Sequence, residues 1–116
     1  MMFYNISAEF AYSLDRRSVA QRAKSALFSS IPDAILVSGQ ITGEVVDQND
    51  LKEVKHILPE TPVLANTGVK IENVEKTLSI SDGVIIGSSL KVNGDTWNQV
   101  DPLRAREFMG KVKTIR

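Results

Sequence analysis

Four short apolar runs, each followed by a longer stretch with helical periodicity, set the frame for this chain. Phe3–Ala8, Ala34–Ser38, Pro62–Asn66 and Gly83–Gly87 read as strands. The last three are continuous rather than alternating, the pattern expected of parallel strands with helices over both faces. Between and after them, Val19, Ala23, Ala26 and Leu27 share one helical face. So do Leu51, Val54 and Leu58, then Ile71, Val74 and Leu78, and finally Ala105, Phe108, Met109 and Val112. Asp47, with Asp50 in the following turn, and Asp101 before Pro102 supply helix caps, and Pro59 closes the second helix. Strand starts near Phe3, Ala34, Val63 and Val84 lie 31, 29 and 21 residues apart, room for one crossover helix per unit. The chain therefore reads as a single α/β domain over residues 1–116, built of four consecutive βα units with a parallel sheet. Lys91–Val100, rich in Asn, Asp and Gly, is expected to be a loop.

A four-stranded parallel sheet has two unpaired edges. One solution is a small, open, doubly wound domain. The other is the equivalent of the C-terminal half of a (β/α)8 TIM barrel, whose edges pair with another half. The chain enters its first strand with no preceding helix, which reads as truncation or an internal start. Self-association through the open edges is expected in either case. Composition narrows the function classes. Fourteen basic and 14 acidic residues give zero formal net charge, so a nucleic-acid partner is not expected. Zero Cys excludes disulfides, thiolate metal sites and a cysteine nucleophile, and fits the cytoplasm. No apolar run approaches the ~20 residues of a membrane helix, so no membrane insertion is expected. The opening residues MMFYNISAEF do not resemble a signal peptide.

Ligands of parallel α/β folds sit at the carboxyl ends of the strands. Those ends read Glu9, then Ser38-Gly39, then Asn66-Thr67-Gly68-Val69, then Gly87-Ser88-Ser89-Leu90-Lys91. Glycines allow close backbone approach, and hydroxyls and free N–H groups at a short helix start bind anionic oxygens. Thr67, Gly68, Val69, Gly87, Ser88 and Ser89 are thus the candidate phosphate cradle, with Lys91 as its cation. The competing reading is two ordinary glycine-containing loops and a solvated lysine. Asn66 is a candidate for substrate hydroxyls, or else a turn residue. Glu9 is a candidate general base or metal ligand, or else a cap or surface carboxylate. Ser38 and Gly39 are placed in the substrate pocket, with Trp97 either a lid over the mouth or an anchor for its own loop. His56, the single histidine, is read as a surface residue on the second helix, which argues against zinc and a Ser/His/Asp triad. A magnesium site from Glu9, Glu44 or Asp95 is demanded by no spacing, and no metal or cofactor is expected.

The stretches Asp33–Gly39, Asp47–Leu58, Val63–Val69, Glu72–Glu75 and Leu78–Lys91, followed by Trp97-Asn98, Val100-Asp101-Pro102 and Phe108-Met109, resemble the BtpA family, and within it SgcQ-like bacterial members. The resemblance covers nearly all of this chain but only the C-terminal half of the family pattern. It implies a barrel of the ribulose-phosphate-binding type, with phosphate held at Gly68 and at Gly87 to Ser89. Many relatives place Asp, Lys and His after the first of these strands, where this chain has Ser7-Ala8-Glu9-Phe10. SgcQ-like members share the Glu. Two functions follow as expectations. One is binding of a phosphorylated small metabolite or inorganic phosphate, as part of an enzyme of carbohydrate metabolism with a sugar-phosphate lyase or isomerase step, the isolated chain being inactive. The other is a non-catalytic assembly protein related to photosystem biogenesis factors. A flavodoxin-like domain is a weaker third reading, lacking the acidic cluster of a phospho-acceptor.

Overall fold

Each apolar run becomes a parallel strand and each periodic stretch a helix. The computed structural model describes all 116 residues. In chain order the elements are β1 (Phe3–Asn5), α1 (Val19–Ser30), β2 (Ala34–Ser38), α2 (Gln48–Ile57), β3 (Val63–Asn66), α3 (Val74–Leu78), β4 (Gly83–Val84) and α4 (Pro102–Ile115). Two short 3-10 turns, Ser88–Leu90 and Val92–Gly94, separate β4 from α4. The strands form one sheet in the order β1-β2-β3-β4, every pair parallel. This is a run of four βα units, half of a TIM barrel. No helix is long and apolar enough to cross a membrane.

The register decides where the core lies. Ile35, Val37, Val63 and Ala65 turn to one side of the sheet, where they meet Ala20, Ala23 and Ala26 of α1 and Leu51 and Val54 of α2. Val84 and Ile86, on the same side, pack with Val74 of α3 and Phe108 of α4. Helices therefore cover one face only, which corrects the expectation of two covered faces and excludes the doubly wound alternative. The other face carries Leu36, Ser38, Leu64 and Asn66, in the position of a barrel interior. β2 still reads as a continuous apolar run because it is central and buried along its whole length. Small alanines on α1 let that helix lie close to the sheet.

Helix starts follow their caps. Asp47 accepts from the amides of Asn49 (2.7 Å) and Asp50 (3.2 Å). Asp101 accepts from Leu103 N (2.9 Å), with Pro102 in the first helical position. Ser18 and Gln21 form a reciprocal capping box on α1.

Three boundaries differ from the sequence expectation. β1 ends at Asn5 rather than Ala8, because the Asn5 side chain takes the Ser7 amide (3.1 Å) and bends the chain. β4 ends at Val84 rather than Gly87, with Ile85 N to Ala65 O (2.9 Å) its last rung. Beyond that point β3 turns away at Thr67 and Gly68, both at positive φ. Ile71 lies outside α3, in a turn that the Asn73 side chain closes by accepting from Lys70 N (2.8 Å) and donating to Gly68 O (2.9 Å).

The opposite end of the sheet from the strand carboxyl ends is tied by Asp82. Its carboxylate accepts from Lys55 Nζ (2.8 Å) and from Val63 N (2.8 Å), joining α2, β3 and β4. Burial pushes its pKa up, but the bonds from Lys55 and Val63 and the charges of Lys55 and Arg116 outweigh this and hold it below the ordinary aspartate value. A lowered folded pKa stabilises the fold above the unfolded value near pH 4 and loses that contribution as pH falls through the folded value. Asp82→Asn is expected to cost about 1 kcal/mol at neutral pH, after allowing for partial exposure, and to flatten the acid limb. Urea titrations at neutral pH and at about pH 3 measure both effects.

Candidate functional site

The carboxyl ends of β3 and β4 open into a cavity of about 180 Å³. Its lining contains Glu9, Asn66, Thr67, Gly68, Val69, Gly87, Ser88 and Ser89, so eight of the sequence candidates converge on one space. Ser88, Ser89, Gly43 and Lys70 also line an adjoining cleft of about 620 Å³, which runs along the 3-10 turns to Arg104 and Phe108.

Local hydrogen bonding decides what each group can offer. Leu90 N binds Gly87 O (3.0 Å) and Lys91 N binds Ser88 O (3.0 Å), so the turn's own bonds begin at Leu90. The amides of Gly87, Ser88 and Ser89 precede the first of these and find no protein acceptor. Those of Gly68 and Val69 are likewise unbonded. Hydroxyls are more committed. Thr67 Oγ1 accepts from Gly39 N (2.7 Å) and gives its one proton to Glu44 O (2.8 Å). Ser89 Oγ donates to Val69 O (2.8 Å), clasping the two strand-end loops together. Ser88 Oγ lies 2.7 Å from Thr96 Oγ1. What the cavity presents to an anion is therefore chiefly backbone N–H.

Gly68 has a different reason from the one its composition suggests. A side chain there would fall on the Glu44 carbonyl carbon and the Val45 amide, so the missing Cβ accommodates the neighbouring loop rather than a ligand. Gly39 is restricted in the same way by Glu44 and by Thr67 Oγ1. Gly87, by contrast, faces open space.

Asn66 donates to Ser38 Oγ (2.9 Å), which also bonds the Asn5 side chain on β1. Ser38 is thus a buried hub across three strands that fixes the Asn66 amide, and neither it nor Gly39 lines the cavity or its adjoining cleft. Lys91 Nζ bonds the Thr96 carbonyl and lines neither space. Trp97 is 93% exposed and neither covers the mouth nor anchors its loop. His56 is exposed on α2. No three His, Cys, Asp or Glu side chains converge as a metal-binding group.

Sequence reasoning passed over Lys70. It lines both spaces, and its ammonium has no hydrogen-bonding or ion-pair partner. The signal was its place directly after Gly68-Val69. Thr42 and Gly43, from the loop after β2, complete the wall. In the adjoining cleft Arg104 donates to Ser89 O (3.2 Å) and lies 3.8 Å from the Asp101 carboxylate, and Glu72 and Glu107 line the same cleft.

A model of the BtpA family matches residues 1–114. The chain belongs to the BtpA family. Among its relatives is the sgc region protein SgcQ of Escherichia coli, 46% identical over 113 residues, covering 97% of this chain and 42% of that protein. The photosystem I biogenesis protein BtpA of Synechocystis sp. is 32% identical over 79 residues, covering 68% of this chain and 28% of that one. This BtpA-family chain thus spans less than half the length of these relatives. Among solved structures, N-(5'-phosphoribosyl)anthranilate isomerase from Pyrococcus furiosus superimposes with a TM-score of 0.64 at 19% identity, over 97% of this chain and 49% of that one. The Thermus thermophilus enzyme gives 0.63 at 17%, over 78% and 44%. Both show the fold, with this BtpA-family chain matching about half of each.

Proposed function

We propose that this chain binds a small phosphorylated metabolite, a sugar phosphate, in the cavity at the ends of β3 and β4, as the phosphate-holding part of an enzyme of carbohydrate metabolism. The observation that carries this reading is the set of unbonded amides at Gly68, Val69, Gly87, Ser88 and Ser89 lining one cavity with Lys70. Amides without protein acceptors, four of them on buried or half-buried residues and that of Gly87 on an exposed one, favour a ligand rich in acceptor oxygens, and the free ammonium favours one with negative charge. The alternative of a purely structural assembly protein leaves this convergence without a role.

Glu9 and Asn66 line the same cavity, where they meet the sugar end. Asn66, fixed by Ser38, binds a hydroxyl or carbonyl oxygen, and Glu9 moves a proton in a lyase or isomerase step. Glu9 is the only carboxylate lining this cavity and Lys70 is assigned to the phosphate, which leaves one proton-transfer group at the sugar end for a step that takes both an acid and a base. The isolated chain is therefore expected to bind without turnover. Calorimetric titration with inorganic phosphate, ribose 5-phosphate and ribose checks this. The two phosphates are expected to bind with Kd on the order of 1 mM, and ribose not at all. Absence of heat from both phosphates, or equal binding of ribose, rejects the proposal.

A further inference from the structure

We infer that two copies of this chain close on each other into an eight-stranded, two-fold symmetric barrel, with β4 of each copy pairing in parallel with β1 of the other. The inference does not depend on the ligand. β1 and β4 each have one strand neighbour, so each leaves an edge free. On β1, Met2 O and Ile6 N bond toward β2, so the backbone groups of Phe3 and Asn5 point to the free edge.

Exposed apolar side chains gather at the two ends of the arc. Phe3 and Tyr4 of β1 and Phe28 of α1 are exposed at one end, and Ile85, Leu103 and Met109, from the β4 and α4 unit, at the other. α2, in the middle of the arc, exposes only Ile57 among its large apolar residues. Ordinary surface hydrophobes scatter singly, so concentration on the terminal elements indicates that these elements expect neighbours.

The occupant follows from the sheet. The next strand beside β4 must run parallel to it and carry its helix on the same side. β1 of a second copy does both, repeating the relation of β1 to β2, β2 to β3 and β3 to β4. Four strands and one-sided helices match 49% of a solved barrel. Two copies supply the eight strands at which such a barrel closes, and the two-fold axis makes both seams identical, so no edge remains. α1 of one copy then lies beside α4 of the other, covering Phe28, Leu103 and Met109.

Sedimentation analysis of the 116-residue chain from micromolar to submillimolar concentration is expected to give one species of twice 12.8 kDa. Leu103→Glu with Met109→Glu, on the exposed face of α4, is expected to return it to 12.8 kDa with unchanged helical circular dichroism, while Lys52→Glu on α2 leaves the dimer intact. Because the chain has no Cys, a mixture of Phe28→Cys and Leu103→Cys chains offers a readout independent of the glutamate variants: a thiol cross-linker should join one of each. A wild-type monomer, an open series beyond the dimer, a dimer indifferent to the α4 substitutions, or no mixed cross-link overturns the inference.

Discussion

Gly68→Ala is expected to lower stability by at least about 3 kcal/mol, the largest loss of any single methyl addition in this chain. Two costs add there. The residue sits at φ +63°, in the left-handed region, where a Cβ costs about 1–2 kcal/mol. The added carbon also falls on backbone atoms of Glu44 and Val45, which cannot rotate away as a flexible side chain can. Relief requires the loop after β2 to move, and that loop is pinned by Thr67 Oγ1 on Glu44 O at 2.8 Å. Two controls separate the costs. Gly43→Ala has φ +85° with nothing within 4 Å, so it isolates the conformational part, about 1 kcal/mol. Gly87→Ala has negative φ and open space, and should stay within about 0.5 kcal/mol. Urea midpoints of the three variants give the comparison, and equal losses at Gly68 and Gly43 would show that the loop yields freely.

The same glycine marks the limit of what the residues disclose on their own. Its position after an apolar run locates a strand end, and that placement holds. Its neighbour is another matter, because sequence does not tell whether the space beside a glycine holds a ligand or a distant loop. Here Glu44, 24 positions upstream, takes that space. β2 and β3 are legible because continuous burial needs continuous apolar residues, and the register follows from their parallel pairing. The length of β4 is not, because pairing stops where β3 bends away, and the five apolar-looking residues Gly83–Gly87 carry no record of that partner. The one-sided arrangement of helices escapes for a similar reason. A strand buried by helices on both faces and one buried between helices and a barrel interior have the same apolar run. Among the site residues, strand-end position finds Asn66, Gly87 and Ser88. It does not find Lys70, because adjacency along the chain favours Lys91, whose ammonium the 3-10 turn directs back to Thr96 O while Lys70 lines the cavity.

Lys70→Glu is accordingly expected to weaken phosphate binding by tenfold to a hundredfold, whereas Lys91→Met leaves it unchanged. Lys70 lines the cavity without an ion-pair partner, so its ammonium is available to the ligand, with Glu9 the one carboxylate on the same wall. Two unit charges about 5 Å apart interact by roughly 1 kcal/mol in water and 3 kcal/mol at the effective dielectric of a protein surface, and reversing one of them doubles the change. Exposure of Lys70 puts the outcome toward the lower part of that range. The effect should also shrink with added salt, as interactions of exposed charges do. Lys91 spends its ammonium on the Thr96 carbonyl, so its replacement loosens residues 91–100 without changing the charge at the cavity. Calorimetric titration of both variants with inorganic phosphate at low and moderate ionic strength reads the contrast. The variants distinguish two ways of holding an anion. If the amides of Gly68 and Gly87 to Ser89 act alone, neutral Lys70→Met binds as Lys91→Met does, and Lys70→Glu loses only the repulsion that it adds. If Lys70 supplies the charge that those neutral donors lack, its reversal gives the tenfold to hundredfold loss, and the salt dependence changes sign because added salt then screens a repulsion.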